Sequence, residues 1–185
     1  MALTPSNMIQ LGTKAPEFNL HDVVSDQIKK LSDVSGPRGT MIMFICNHCP
    51  YVVHIEKEIA AIARDYKAKE IGFVAISSND VNHYPEDSPE HMLEQVNRSG
   101  FDFPYFYDES QEVAKAYDAA CTPDFYLFDQ AMKLVYRGRI DESRPKSDIP
   151  VTGKDMREAL DLLIEGRPQM QVQYPSMGCN IKWLN

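Results

Sequence analysis

Cysteine is scarce in this chain, with only Cys46, Cys49, Cys121 and Cys179 among 185 residues. A domain stapled by disulfides uses far more, so a covalent framework is excluded as the source of its stability. Long apolar runs are missing too. None approaches the roughly 20 residues of a bilayer span, and no membrane partner is expected. Met1 to Thr13 shows no basic flank leading into an apolar stretch, which reads as a cytoplasmic protein. Basic charge is in deficit, with 19 Lys and Arg against 27 Asp and Glu for a formal net charge of -8. Nucleic-acid phosphates demand clustered Lys and Arg, so a nucleic-acid partner is not expected either. Repeats and low-complexity segments are absent from the sequence.

Core material is plentiful: 43% of the residues are apolar, enough for one core in one domain. Phe18, Leu20, Ile28 and Leu31 alternate weakly around a turn at Val24 to Asp26, as in a short β-hairpin. After the breaker Gly36-Pro37-Arg38-Gly39, the run Thr40 to Ile45 reads as a strand buried on both faces. Val52, Ile55, Ile59, Ile62, Ala63 and Tyr66 then recur at helical spacing, leaving Glu56, Lys57, Arg64 and Asp65 outside. A strand over Ile71 to Ser77 closes a parallel β-α-β unit. Ser88-Pro89-Glu90 opens a helix that stops at Gly100. Phe103 to Tyr107 reads as a strand, with its aromatics as core, and Ser110 opens a short helix through Tyr117. Phe125 to Phe128 and Lys133 to Ile140 form a hairpin around Asp129-Gln130-Ala131. The last helix starts near Thr152, buries Met156, Leu160, Leu163 and Ile164, and ends at Gly166. The fold class is α/β, a mixed sheet flanked by helices. Residues 1–166 form the domain, and 167–185 a tail whose Ile181 and Trp183 imply that it packs back onto it.

The chemistry concentrates at Cys46-Asn47-His48-Cys49, where the central strand gives way to a helix at Pro50. A helix start offers unpaired N–H groups and partial positive charge, which favour a thiolate; a second thiol one turn on closes a disulfide. The reading makes Cys46 the accessible, easily ionised nucleophile and Cys49 the more buried resolving thiol. The same spacing is half of a zinc site, with Cys121 and either Cys179 or His48 completing it. The strand–C-x-x-C–helix context favours redox use, with no metal and no cofactor. His48 either tunes the Cys46 thiolate, raising the potential above the roughly −270 mV of thioredoxin, or is a solvated rim residue. Asn79-Asp80 ends a central strand, where α/β sites gather, or simply caps it. His21, His54, His83 and His91 show no metal spacing.

Taken with Gly12-Thr13-Lys14-Ala15-Pro16-Glu17-Phe18 and the order of elements, the chain resembles a thioredoxin-fold protein of the alkyl hydroperoxide reductase and thiol-specific antioxidant superfamily. Cys-Asn-His-Cys-Pro, Ser-Asn-Asp, Ala-Cys-Thr-Pro-Asp-Phe and the terminal Gly-Cys-Asn-Ile-Lys-Trp resemble a bacterial subfamily of thioredoxin-like redoxins. The resemblance implies that Pro123, after Thr122, is a cis proline facing the thiols and that the backbone before it binds substrate; a trans turn is the alternative. Cys121 would then approach Cys49 as a second resolving thiol or metal ligand, or be a buried apolar residue. Cys179 is a further candidate if the tail brings it into reach.

Three functions remain in view. The leading one is a thiol-disulfide oxidoreductase cycling Cys46 and Cys49, acting on a protein or small-molecule disulfide or thiol with an unknown reductant. The second is a thiol peroxidase with antioxidant function. The peroxiredoxin pattern P-x-x-x-T-x-x-C fits neither register, since Cys49 would require Ile42 and Cys46 to be Pro and Thr, and Cys46 would require the same of Gly39 and Met43. The third is a metal-binding or thiol-sensing module.

Overall fold

The computed structural model describes residues 3–184. The apolar run after the Gly-Pro breaker forms β4 (Gly39–Phe44), all six of whose residues are buried. It lies between β5 (Ile71–Ser77), paired in parallel, and β8 (Asp124–Asp129), paired antiparallel. The full sheet adds β2 (Asn19–Asp22), β3 (Gln27–Lys30), β6 (Tyr105–Tyr107) and β9 (Leu134–Gly138), giving the order β3-β2-β6-β5-β4-β8-β9. Side chains alternate across a strand. Met41 and Met43 therefore enter one core with Val52, Ile55, Ile59 and Leu160, while Ile42 and Phe44 enter the other with Phe18, Val74, Tyr117 and Phe128. The expected N-terminal hairpin is β2 with β3. Leu31 does not extend it but begins a short helical turn, α1 (Leu31–Val34).

α2 (Pro50–Lys67) carries Pro50 in its first turn, where a missing N–H costs no hydrogen bond. Val52, Ile55, Ile59, Ile62, Ala63 and Tyr66 are buried as their spacing predicts. Glu56 departs from the expectation: it is buried, and its carboxylate accepts two bonds from the Arg98 guanidinium, at 3.0 and 2.9 Å. The cause is α3 (Pro89–Ser99), which packs on that flank of α2 and covers a position that helical periodicity alone assigns to solvent. α3 stops at Gly100, whose φ of 77° suits a residue without Cβ. Ser88 stands at its N-cap but makes no side-chain capping bond, its hydroxyl lying 3.0 Å from the His91 ring. α4 (Glu112–Ala116) and α5 (Lys154–Ile164) complete the helices.

A second, three-stranded sheet was not anticipated. β10 (Met177–Asn180) lies between β1 (Leu3–Pro5) and β7 (Cys121–Thr122), antiparallel to both. Its strands are too short to show a period. Gly178 permits the packing, because a Cβ there would stand 2.0 Å from the Thr122 carbonyl oxygen. Beyond it Ile181 is buried in the second core, and the Lys182 backbone N–H donates to Asn79 Oδ1 at 2.8 Å. Trp183 stays 39% exposed, with the Lys115 ammonium 5.8 Å from its ring. Among the described residues no helix is long and apolar enough to cross a membrane.

Arg98→Ala would strand a buried carboxylate that Glu56→Gln would leave uncharged. In urea denaturation the first is expected to lower the unfolding free energy by about 1–3 kcal/mol, and the double variant to recover part of that loss.

Candidate active site

Cys46 follows the end of β4, and Cys49 is the N-cap of α2, so strand and helix fix the two thiols from opposite sides of a two-residue turn. That turn is held by Asp87, which the sequence reading passed over. Its wholly buried carboxylate accepts the backbone N–H groups of Asn47 and His48 on Oδ1, at 2.8 and 3.0 Å. Its Oδ2 meets His48 Nδ1 at 2.6 Å and accepts the Asn79 side-chain amide at 2.7 Å. Asn79 thereby has a definite role: its amide grips Asp87, and its oxygen grips the C-terminal segment through Lys182. Sequence offered one faint signal for Asp87, a carboxylate placed just before a helix start, but that position is normally read as a cap.

These contacts explain the electrostatics. Burial works to raise the Asp87 pKa, but the hydrogen bonds from His48 and Asn79 prevail and hold it below the usual carboxylate value. The hydrogen bond to Asp87 raises the His48 pKa against the opposing effect of its own burial. His48 is therefore not a solvated rim residue; its side chain is 19% exposed and its ring stacks on Tyr84 at 5.8 Å and 7°.

Thr122 and Pro123 are joined by a cis peptide bond, and their strand faces the thiols. Cys46 Sγ lies 3.3 Å from the Thr122 hydroxyl, and Cys49 Sγ lies 3.2 Å from the Thr122 carbonyl oxygen, a bond that Cys49 donates only while it is protonated. Cys179 Sγ lies only 2.9 Å from Cys49 Sγ, delivered there by β10, which pairs Cys179 with Thr122. Cys121 is adjacent to Thr122, and neighbouring strand residues point to opposite faces. Its buried sulfur contacts the Pro123 carbonyl at 3.5 Å, and burial raises its pKa far above the thiol range. Of the two further candidates, Cys179 is the thiol that approaches Cys49, and Cys121 fits its alternative as a buried apolar residue.

The expectation of an accessible, readily ionised Cys46 needs correction. Cys46 is 1% exposed and Cys49 fully buried. The favoured thiolate is Cys49, with a pKa of about 5: it receives hydrogen bonds from the Cys46 and Cys179 thiols and from the Val52 and Cys179 backbone, which together outweigh burial. Cys46 is raised well above the ordinary thiol value, first because it donates to that thiolate, then by burial and by the Asp87 charge. The two sulfurs thus share one proton and titrate as a pair. Sequence placed the helix terminus nearest the first cysteine, but the N-cap is the second, so the Val52 N–H in the first turn of α2 favours a thiolate at Cys49.

Cys46, His48 and Asp87 place their ligand atoms within 4.8 Å of one another, a geometry that invites a metal reading. The Asp87 oxygens, however, are already engaged by four nitrogen groups, so an ion would have to displace the bonds that hold the turn.

Asp87→Asn tests this account in two ways. The His48 titration midpoint, followed by NMR, is expected to fall. The stability that Asp87 contributes is fully present above 3.8 and lost as pH falls through its lowered folded value. The part from His48 is fully present below 6.5 and lost as pH rises through its raised folded value. Wild type and variant should therefore differ most in unfolding free energy between pH 3.8 and 6.5, and less at pH 9.

The family model described as AhpC/TSA matches residues 11–137. No match was found among curated proteins. An uncharacterized conserved protein from Geobacillus kaustophilus is 55% identical, with a TM-score of 0.97 over 100% of this chain and 97% of its own. A hypothetical protein from Sinorhizobium meliloti 1021 is 44% identical, with a TM-score of 0.95 over 98% of each chain. The thioredoxin domain of a thiol-disulfide oxidoreductase from Bacteroides vulgatus, 17% identical, superposes with a TM-score of 0.58 over 74% of this chain and 90% of its own. The match spans two thirds of the sequence and includes the Cys46–Cys49 turn, Asp87 and the cis proline strand, so the chain belongs to the AhpC/TSA family and carries the thioredoxin fold.

Proposed function

We propose that this protein is a thiol-disulfide oxidoreductase that cycles Cys46 and Cys49 between dithiol and disulfide. The observation that carries the reading is the paired thiols at the start of α2, with Cys49 favoured as a thiolate at about 5, so that the pair holds one negative charge at neutral pH. Proton exchange inside the pair puts that charge on Cys46 when a disulfide arrives. The Cys46 thiolate attacks one sulfur of the substrate, forms a mixed disulfide and expels a substrate thiolate. Cys49 then attacks the Cys46 sulfur, closes the internal disulfide and releases the second substrate thiol; an external dithiol restores the reduced pair.

Access follows from the burial of both sulfurs. A partly exposed neighbour is His48, whose ring lies within the same 4.8 Å cluster as the Cys46 sulfur, and the His48 side of the turn is where a substrate would enter. The backbone before the cis Thr122–Pro123 bond is already paired with β10 and its carbonyl faces Cys49, so the edge expected to bind an extended substrate is occupied by the protein's own C-terminal strand. A cytoplasmic setting, with the pair kept reduced by a cellular dithiol, fits the same chemistry. The peroxidase reading finds no support in the residues before the thiols, where Gly39, Ile42 and Met43 stand in place of the Pro and Thr of a peroxide pocket.

Dithiothreitol-driven reduction of insulin is the direct assay. Cys46→Ser is expected to abolish it, and Cys49→Ser to accumulate mixed disulfides. Thiolate absorbance of the reduced protein should rise with a midpoint near 5 and lose that step in Cys49→Ser. Because a stabilised thiolate favours the dithiol, the potential measured against glutathione should lie above about −270 mV. An ordinary thiol midpoint together with no insulin reduction would refute the reading.

A further inference from the structure

The C-terminal strand brings a third sulfur to the thiol pair, in a segment the family match does not reach. Cys49 Sγ and Cys179 Sγ are 2.9 Å apart, against about 2.04 Å in a disulfide. Both sulfurs are buried, and both belong to backbone fixed on either side: Cys49 by α2 and Cys179 by pairing to Leu3 and Thr122. The approach is built into the sequence at Gly178, where any side chain would drive β10 off the Thr122 carbonyl. Ser176 reinforces it by donating to the Pro123 carbonyl at 2.6 Å, and Lys182 by its bond to Asn79. Cys49 thus has a thiol neighbour on each side, Cys46 along the chain and Cys179 across it.

We propose that Cys179 is a third redox thiol, and that the oxidised protein exchanges a Cys46–Cys49 disulfide for a Cys49–Cys179 disulfide. This rests on the exchange chemistry proposed above for the thiol pair. In the step, the Cys179 thiolate attacks Cys49 Sγ, a sulfur–sulfur bond forms between them, the Cys46–Cys49 bond breaks, and its electron pair leaves on Cys46. The proton lost by Cys179 ends on Cys46. One disulfide replaces another, so no external oxidant or reductant enters the step. In the reduced state Cys179 is held protonated, its pKa pushed up to about 12 by burial and by the neighbouring Cys49 thiolate. Once Cys49 is in a disulfide that second cause is gone, and the Lys182 charge, which lowers the Cys179 pKa, acts without it.

The consequence is chemical. With the disulfide held under β10, Cys46 is again a free thiol facing His48, but it has lost its resolving partner. A mixed disulfide formed at Cys46 in that state persists until an external thiol attacks the Cys49–Cys179 bond and frees Cys49 to resolve it. The C-terminal strand therefore sets how long the protein stays bound to what it captures.

The full chain tests this by oxidation with oxidised glutathione, acid quenching and mass-spectrometric mapping of disulfides. Wild type is expected to show two linkages, Cys46–Cys49 and Cys49–Cys179. Cys46→Ser is expected to lose two thiols and form Cys49–Cys179, with Cys121 still alkylatable after unfolding. Gly178→Ala, which touches no sulfur, is expected to lower the Cys49–Cys179 fraction in wild type by several-fold. Wild type with Cys46–Cys49 alone, together with Cys46→Ser that forms only glutathione adducts or keeps its thiols, overturns the proposal. Wild type separates the two claims. If it closes Cys46–Cys49 and reduces insulin while Cys46→Ser forms no bridge, only the third thiol fails. If it closes no disulfide and reduces no insulin, the oxidoreductase reading fails.

Discussion

A buried carboxylate holds this site together. Asp87 has no exposure, and its oxygens gather the N–H groups of residues 47 and 48, the His48 ring and the Asn79 amide. Removing one partner from such a buried cluster typically costs about 3–5 kcal/mol, because the remaining charge and donors are left uncompensated in a low-dielectric interior. Both backbone donors of the two-residue turn between the cysteines are satisfied by one Asp87 oxygen. The same anion sets the charge of His48 and opposes a thiolate at Cys46. Positioning of the turn and partition of its charge are thus one interaction.

The thiols respond to that field as a group. Burial alone would raise every cysteine, and at Cys121, whose sulfur has a single carbonyl contact, it does. At Cys49 the donors outweigh burial, since N–H and S–H groups converge on one sulfur at a helix start. The difference between an ionised and a protonated cysteine here is the count of donors, not exposure. Burial then makes each donor count for more, because little water competes for the sulfur.

The C-terminal segment is bound to this arrangement at three levels. Its strand lies against the cis Thr122–Pro123 bond, its Cys179 touches Cys49, and its Lys182 backbone closes on Asn79, the residue that also grips Asp87. Movement of the segment would therefore be felt at both the sulfurs and the carboxylate.

Local pattern was enough for the scaffold. An unbroken apolar run wrote the central strand, helical spacing wrote α2, and Gly100 ended α3, because each depends on residues a few positions apart. The Cys46-Asn47-His48-Cys49 motif likewise announced where the chemistry gathers. What the sequence could not carry were pairings across long stretches of chain: Glu56 with Arg98, Asp87 with the turn 40 residues before it, Cys179 with Cys49 at a separation of 130. β1, β7 and β10 are too short for periodicity, so only their mutual hydrogen bonds make them strands. Which thiol ionises was decided last, since a pKa depends on the donors that surround a sulfur in space. The sequence determined the longer strands, the main helices and the thiol pair; folding alone chose their neighbours, because burial and hydrogen bonding act through distance in space and not along the chain.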